Sequence, residues 1–327
     1  MDYKISVIIP VYKAEKFIAR CARSLFGQTL DAIEFIFIDD CTPDESINVV
    51  NSVLQEFPTR QNDVRIIRHT VNAGVSKSRQ NGLDAAKGEY VIHCDSDDWL
   101  EPTAYEEMYE KANYNNADIV ICDYFKEYGN RRVIERHDKI FPTDNPDGIL
   151  TALCTGKAFG ACWNKLIRRD KILNSKAHFI EGLNVCEDLF FMIMLLKNGS
   201  SVYLLERPLY HYDLSINPNS ILRSSCSHNG IDNNIIHWAT KLLADSKYKP
   251  AHDALVTEAM FSIFISGEYS NCEFKKRYHK FNTLSFSNRG YVKLHNRLLL
   301  QAAINGQYRQ ALSIYNFLHR IMNYFNR

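Results

Sequence analysis

The chain has 327 residues, 46% of them hydrophobic and 24% charged, with a formal net charge of +1 and nine cysteines. That length suits one large α/β domain plus an accessory segment, and the composition is that of a globular protein. The near-neutral balance argues against a general polyanion binder, hence against nucleic acid as a partner, and no apolar run reaches the ~18 residues that span a bilayer. The cysteines are scattered without a CxxC pair, which predicts reduced thiols in a cytoplasmic protein. Met1-Asp2-Tyr3-Lys4 leads straight into a strand, so no cleavable leader is expected. A zinc site at His93-Cys94 is disfavoured, because neighbours on a strand point to opposite faces.

In chain order, Ile5 to Ile9 is a β-branched run halted by Pro10, as in a buried parallel strand. Phe17, Ile18, Cys21 and Leu25 recur at helical spacing. Glu34 to Ile38 predicts a second strand ending at Asp39-Asp40, and Thr42-Pro43-Asp44-Glu45 then reads as a helix start, with Thr42 as N-cap and Glu45 closing a capping box. Val64 to Ile67 predicts a third strand, Ser76 to Ala86 a helix, and Tyr90 to Cys94 a fourth strand. Strands alternating with helices imply a mostly parallel sheet flanked by helices, with ligands beyond the carboxyl ends of the strands. A second sheet region is expected from Asp118 to about Tyr212, with a helix starting near Glu187-Asp188. Beyond about Ser224 the pattern is helical, which places a catalytic-type domain at 1–224 and a C-terminal helical region at 225–327.

The most informative segment follows the fourth strand: Asp95, Asp97 and Asp98 fall within four positions. Like charges this close repel. A divalent cation would neutralise them, and hard oxygen ligands suit Mg²⁺ or Mn²⁺ bridging to phosphates. Pro10-Val11-Tyr12, Asp39-Asp40 and Asp95 to Asp98 all occupy strand ends, so the topology itself predicts that they converge.

Pro10-Val11-Tyr12, Ile38-Asp39-Asp40, Asn72-Ala73-Gly74 with Arg79-Gln80-Asn81-Gly82, Asp95-Ser96-Asp97-Asp98, Trp163-Asn164-Lys165-Leu166 and Glu187-Asp188 occur in the order seen in family 2 glycosyltransferases. The chain resembles that family over roughly residues 4 to 220. The resemblance implies the GT-A fold and inverting transfer of a sugar from a nucleotide-diphosphate donor, most plausibly a UDP-sugar, to an acceptor hydroxyl in a bacterial surface glycan or lipid-linked saccharide. It implies a donor site lined by Pro10, Val11, Tyr12, Asp39, Asp40, Gly74, Arg79, Asp95, Ser96, Asp97 and Asp98. Asp40 would take a hydrogen bond from the base, and Arg79 would face the diphosphate. It further implies Mn²⁺ or Mg²⁺ held by Asp97 with Asp95, His211 as a late metal or phosphate contact, and Asp188 as the general base. A helix N-terminus favours a carboxylate at Asp188. Cys41 stands where the family often has glycine, which a negative φ would tolerate.

Plainer readings stay open. Asp39-Asp40 and Glu187-Asp188 also suit helix starts, His211 suits a packed histidine, and Arg79 suits a surface helix. A non-catalytic nucleotide-sugar-binding scaffold and a sugar nucleotidyltransferase are the rival functions; the latter class usually carries a glycine-rich loop that Pro10 to Ala14 lacks. Lys275 to Phe281 and His319 to Phe325 are basic and aromatic. They fit docking on the inner face of an anionic membrane, or a helical cap or homodimer contact.

Overall fold

The computed structural model describes residues 3–137, 146–155, 158–215, 228–282, 284 and 292–325. Two compact units emerge: residues 1–150 with 160–224, and residues 151–159 with 225–327. The second unit thus includes a short segment from within the region that sequence reading gave wholly to the first.

The first unit is built on β1 (Ile5–Val11), β2 (Ile33–Asp39), β3 (Val64–Arg68), β4 (Tyr90–His93), β5 (Trp99–Leu100), β6 (Ile119–Tyr128), β7 (Arg131–Glu135), β8 (Lys165–Arg168) and β9 (Val202–Asp213). Among the described residues these form one nine-stranded sheet in the order β3-β2-β1-β4-β8-β6-β9-β5, with β7 on β6. The expected second sheet is therefore a continuation of the first. β8 joins the halves by pairing antiparallel with both β4 and β6. Sequence periodicity reports which face a strand buries, not which neighbour it pairs with.

Connecting helices are α1 (Ile18–Phe26), α2 (Ser46–Leu54), α3 (Val75–Ala85), α4 (Ala104–Tyr114), α5 (Pro146–Cys154), α6 (Arg169–Ser175) and α7 (Glu187–Leu196). The chain runs from β1 outward through β2 and β3, then returns to place β4 on the other side of β1. That reversal opens a crevice at the carboxyl ends of β1 and β4, the usual ligand position in such sheets. Register brings the three acidic or polar strand ends level: Val11 pairs with Asp39, and Ile8 with His93.

Local chemistry explains departures from the expected boundaries. β1 continues through Pro10, because β4 pairs only with Ile5 to Ile8 and the missing proline N–H lies beyond that ladder. α3 crosses close over β1 at Gly82, where a Cβ would come 2.3 Å from the Ile8 side chain. α2 starts at Ser46, and Thr42 is not its N-cap. Instead Asp44 gathers the turn, accepting from Thr42 Oγ1 at 2.7 Å, Ser46 N at 3.2 Å and Glu15 N at 3.1 Å.

The second unit has helices over His228–Leu242, Lys249–Ile265, Asn271–Tyr278, Leu294–Ala302 and Tyr308–Phe325. Phe274 stacks on Tyr308 at 4.6 Å and Phe264 meets the same ring edge-on at 5.8 Å. A capping box between Ser270 and Glu273 starts the Asn271–Tyr278 helix, and Gly306, at φ 103°, lets the chain kink before Tyr308. No helix among the described residues is long and apolar enough to cross a membrane.

Candidate active site

β4 delivers Asp95 into a tight turn closed by Asp98 N–H donating to the Asp95 carbonyl at 3.1 Å. Ser96 and Asp97 lie half-buried in that turn. Arg20, from α1, donates to the Asp97 carbonyl at 2.9 Å and to Asp213 Oδ2 at 2.5 Å, while its guanidinium lies 3.5 Å over the Trp99 ring. The turn is thus fastened on both flanks.

The centre of the site is Arg79, only 3% exposed. It projects from α3, donating to Asp95 Oδ1 at 2.9 Å through Nη2, with its Nε 3.3 Å from Asp188 Oδ1 and 3.5 Å from Glu187 Oε1. Burial alone would lower the guanidinium's pKa, but Asp188, Asp95 and Glu187 outweigh it and hold the value well above the usual arginine range. One cation therefore gathers acids from the end of β4 and the start of α7. Three carboxylates against one guanidinium leave an excess of buried negative charge. Burial, with help from the Asp188 charge, pushes the Glu187 carboxyl up to about 7, and burial also raises Asp95. Arg79 Nε and Nη1 and Asp188 Oδ1 are buried without a hydrogen bond. Nε and Oδ1 meet each other only as the 3.3 Å ion pair, and Nη1 is left with unused donor capacity.

Asp188 is held by its other oxygen: Oδ2 accepts from Cys162 N–H at 2.9 Å. The run after Cys162 buttresses that contact. Lys165 Nζ donates to the Ala161 carbonyl at 2.6 Å and to Asn164 Oδ1 at 2.7 Å, and burial lowers its pKa to about 8. Trp163 stacks on Tyr210 at 4.3 Å.

On the β2 side, Asp39 Oδ1 accepts from Thr42 N at 2.9 Å, and Asp40 organises the following loop. Asp40 Oδ1 accepts from Ala73 N at 2.7 Å and faces His69 Nδ1 at 2.8 Å, and Oδ2 accepts from Gly74 N at 2.9 Å. Of the roughly four lone-pair sites of a carboxylate, about one is left for a ligand. Gly74 needs its φ of +86°, and a Cβ there would meet the Asn184 amide at 2.6 Å. At the end of β1, Val11 is fully buried, Pro10 is half-buried and Tyr12 leaves its ring 43% exposed. Cys41 adopts φ 54°, against the negative φ expected of a non-glycine residue there.

Three expected site residues make contacts that the sequence did not foresee. His211 is not brought to the acids: its Nδ1 lies 2.8 Å from Glu127 Oε1 and its Nε2 3.0 Å from Glu101 Oε1. Its ring is stacked between Trp99 at 4.8 Å and Phe125 at 4.6 Å. Both ring nitrogens thus face glutamate carboxylates. Asp98, 1% exposed, spends both oxygens on structure, accepting from Tyr210 Oη at 2.7 Å and Asp213 N at 2.8 Å. Burial, then the charges of Asp97 and Asp95, push its pKa well above the carboxylate range. Arg79, expected to face a diphosphate, is committed to the carboxylates. Sequence reasoning assigned no role to Arg20, Asn184, Glu127 or the Cys162 amide. Arg20 reads only as a charge on an amphipathic helix, and no residue-type signal marks the other three.

Among the described residues, no three or more His, Cys, Asp or Glu side chains form a ready-made metal cage. The acid turn can nevertheless supply one or two carboxylate ligands. That donor set fits Mg²⁺ or Mn²⁺, which normally complete their coordination with water and substrate phosphates.

A model of glycosyl transferase family 2 matches residues 6–174. The putative glycosyltransferase EpsH of Bacillus subtilis (strain 168) is 33% identical over 216 residues, covering 65% of this chain and 61% of that protein. The chain thus spans about three fifths of this curated relative. The crystal structure of S. aureus TarS 1-349 in complex with UDP-GlcNAc superimposes with a TM-score of 0.72 at 20% identity, over 96% of this chain and 91% of that one. The mannosyltransferase PcManGT from Pyrobaculum calidifontis, in complex with GDP-Man and Mn²⁺, gives a TM-score of 0.53 at 12% identity, over 97% and 88%. At these identities the likeness is one of fold, and the fold is GT-A.

Proposed function

The chain belongs to glycosyl transferase family 2, and from that premise we propose a metal-dependent inverting glycosyltransferase that moves a sugar from a UDP-sugar to an acceptor hydroxyl of a cell-surface glycan or lipid-linked saccharide. One observation carries the reading: Arg79 draws Asp95 and the Glu187-Asp188 pair, 92 and 93 positions away from Asp95, around a single buried centre. A uridine donor is favoured because TarS, of the same fold, binds UDP-GlcNAc.

In this reading Asp97, assisted by Asp95, would hold Mn²⁺ or Mg²⁺, which would supply charge stabilisation for the departing diphosphate. Tyr12 offers its exposed ring to the base, and Asp40 its remaining lone pair. Asp188 is the general base. With Oδ2 pinned by the Cys162 amide, Oδ1 takes the acceptor's proton as the new C–O bond forms at the anomeric carbon and the bond to the diphosphate breaks. General-base assistance contributes roughly 10²–10⁴ in rate. Arg79 positions the base through its ion pair with Asp188.

The test is incubation with Mn²⁺, glycan or lipid-linked acceptors and a panel of labelled nucleotide sugars, following release of nucleoside diphosphate. The wild type turns over one donor, and Asp188→Asn binds that donor with similar affinity but is slower by about 10²–10⁴. Undiminished turnover in D188N would refute the assignment; binding without any release would favour the scaffold reading.

A further inference from the structure

The last 54 residues, 274–327, contain ten lysines and arginines and no aspartate or glutamate. Residues 1–273 hold the other 29 basic residues against all 38 acidic ones, a formal charge of −9. The near-zero total therefore conceals a strongly polarised molecule. Within the basic segment, Lys275, Lys276, Arg277, Lys280, Lys293, Arg309 and Arg320 are solvent-exposed. Arg297, by contrast, is buried and donates to the Val292 carbonyl at 2.6 Å.

The same segment carries an unusual share of exposed apolar side chains. Leu294 is 58% exposed, Leu298 64%, Ile314 51%, Phe317 63% and Leu318 38%. Leu294 and Leu298 are one turn apart on the Leu294–Ala302 helix, and Ile314, Phe317 and Leu318 follow i, i+3, i+4 spacing on the Tyr308–Phe325 helix. The adjoining side of that last helix is anchored: Ala311 and Leu312 are buried, and Tyr315 packs edge-on against Phe261 at 5.6 Å. Among the described residues the apolar stripe is thus the uncovered side of an otherwise docked helix.

We propose that this face of the C-terminal unit docks the protein on an anionic lipid bilayer. Charge complementarity selects the partner. The seven exposed lysines and arginines suit the negative headgroups of a membrane surface. Exposed leucines, an isoleucine and a phenylalanine flanked by basic residues suit partial burial at the boundary between headgroups and acyl chains. A nucleic acid would use the charges but leave the aliphatic side chains without a role. A symmetric contact with a second copy would set these exposed cations against their own counterparts. The surface stands on its own observations and does not depend on the transferase reading. If both hold, the membrane would bring a lipid-linked acceptor to the enzyme.

The test is flotation of the full chain with vesicles of phosphatidylcholine containing 30% phosphatidylglycerol, and with phosphatidylcholine alone, at about 0.1 M and 1 M salt. Each basic residue near an anionic surface changes partitioning roughly fivefold. Binding to the anionic vesicles is expected to be at least tenfold stronger than to neutral ones and to be lost at high salt. Lys275→Glu/Lys276→Glu/Lys280→Glu together should weaken it by more than tenfold. Leu298→Ser/Phe317→Ser should weaken it severalfold while leaving the salt dependence in place. All these positions are exposed, and an unchanged melting curve would show that each variant is folded. No flotation, equal binding to neutral vesicles, or indifference to the charge reversals would overturn the proposal. So would salt-dependent self-association, seen by light scattering, that accounts for the effect of every variant. Turnover on a soluble acceptor is read separately, so loss of the docking claim leaves the catalytic one intact.

Discussion

Replacing Arg79 with methionine, which has a similar reach but no charge, isolates the role of the buried guanidinium. Arg79 faces Asp95 at 2.9 Å, Asp188 at 3.3 Å and Glu187 at 3.5 Å, and is almost fully buried. Deleting one partner of a buried ion pair typically costs about 3–5 kcal/mol, because the remaining charge is uncompensated. Here three acids share that fate, so a loss of about 4 kcal/mol at pH 7.5 is the expectation. For a domain of this size each kcal/mol moves Tm by about 2–4 °C, which gives a drop of roughly 10 °C. The loss should shrink on acidification. Glu187 already titrates near 7, and Asp95 is raised by burial; without Arg79 both would take up protons more readily, relieving the repulsion. Calorimetry or urea unfolding of wild type and R79M at pH 7.5 and 5.5 would measure this. A cost below about 1 kcal/mol, or one equal at the two pH values, would refute the view that Arg79 neutralises this cluster.

Other expectations follow from single contacts. Glu187 has a folded-state pKa raised from 4.5 to about 7, so the folded protein holds more protons than the unfolded chain between those values, and stability falls as pH rises through that window. Glu187→Gln should remove up to about 3 kcal/mol of that slope, visible in urea midpoints measured from pH 4.5 to 8; an unaltered slope would place the titration elsewhere. Cys41→Gly relieves a left-handed residue at φ 54°. Relief of about 1–2 kcal/mol less the entropy of a new glycine leaves about 0.5–1 kcal/mol of stabilisation in denaturant unfolding, and a destabilised variant would contradict it. Asp98→Ala strands the Tyr210 hydroxyl and the Asp213 amide and should cost about 2–4 kcal/mol. Asp98→Asn should retain Mn²⁺-dependent UDP affinity, and loss of that affinity in a folded D98N protein would restore Asp98 to the ligand set.

Much of this was legible from residue order. The β-branched runs from Ile5 and Glu34 and the Tyr90 run gave parallel strands whose ends converge, because register in a buried sheet is dictated by the alternation of side chains. The Asp95 to Asp98 turn and the Glu187-Asp188 helix start were equally visible. What escaped were choices made by tertiary pairing. Trp99 lies opposite His211 across β5 and β9, and the imidazole stacks between Trp99 and Phe125 with its nitrogens facing Glu127 and Glu101. Nothing near His211 in the sequence encodes it. Arg79 read equally well as a surface helix residue and as a diphosphate contact. Its burial follows from the close approach of α3 to β1 at Gly82, a contact between residues 74 positions apart. Thr42 resembled a helix cap, yet α2 begins at Ser46 with no side-chain cap, and Asp44 organises the preceding turn because its carboxylate reaches Glu15 as well as Ser46.

The most direct measurement is calorimetric titration of UDP into wild type and Asp97→Asn, with and without Mn²⁺. Wild-type affinity should tighten at least tenfold on adding the metal, and D97N should show the weak, metal-independent value under both conditions. Equal affinity in wild type with and without Mn²⁺, or full metal dependence retained in D97N, would contradict a cation held by the acid turn against the diphosphate.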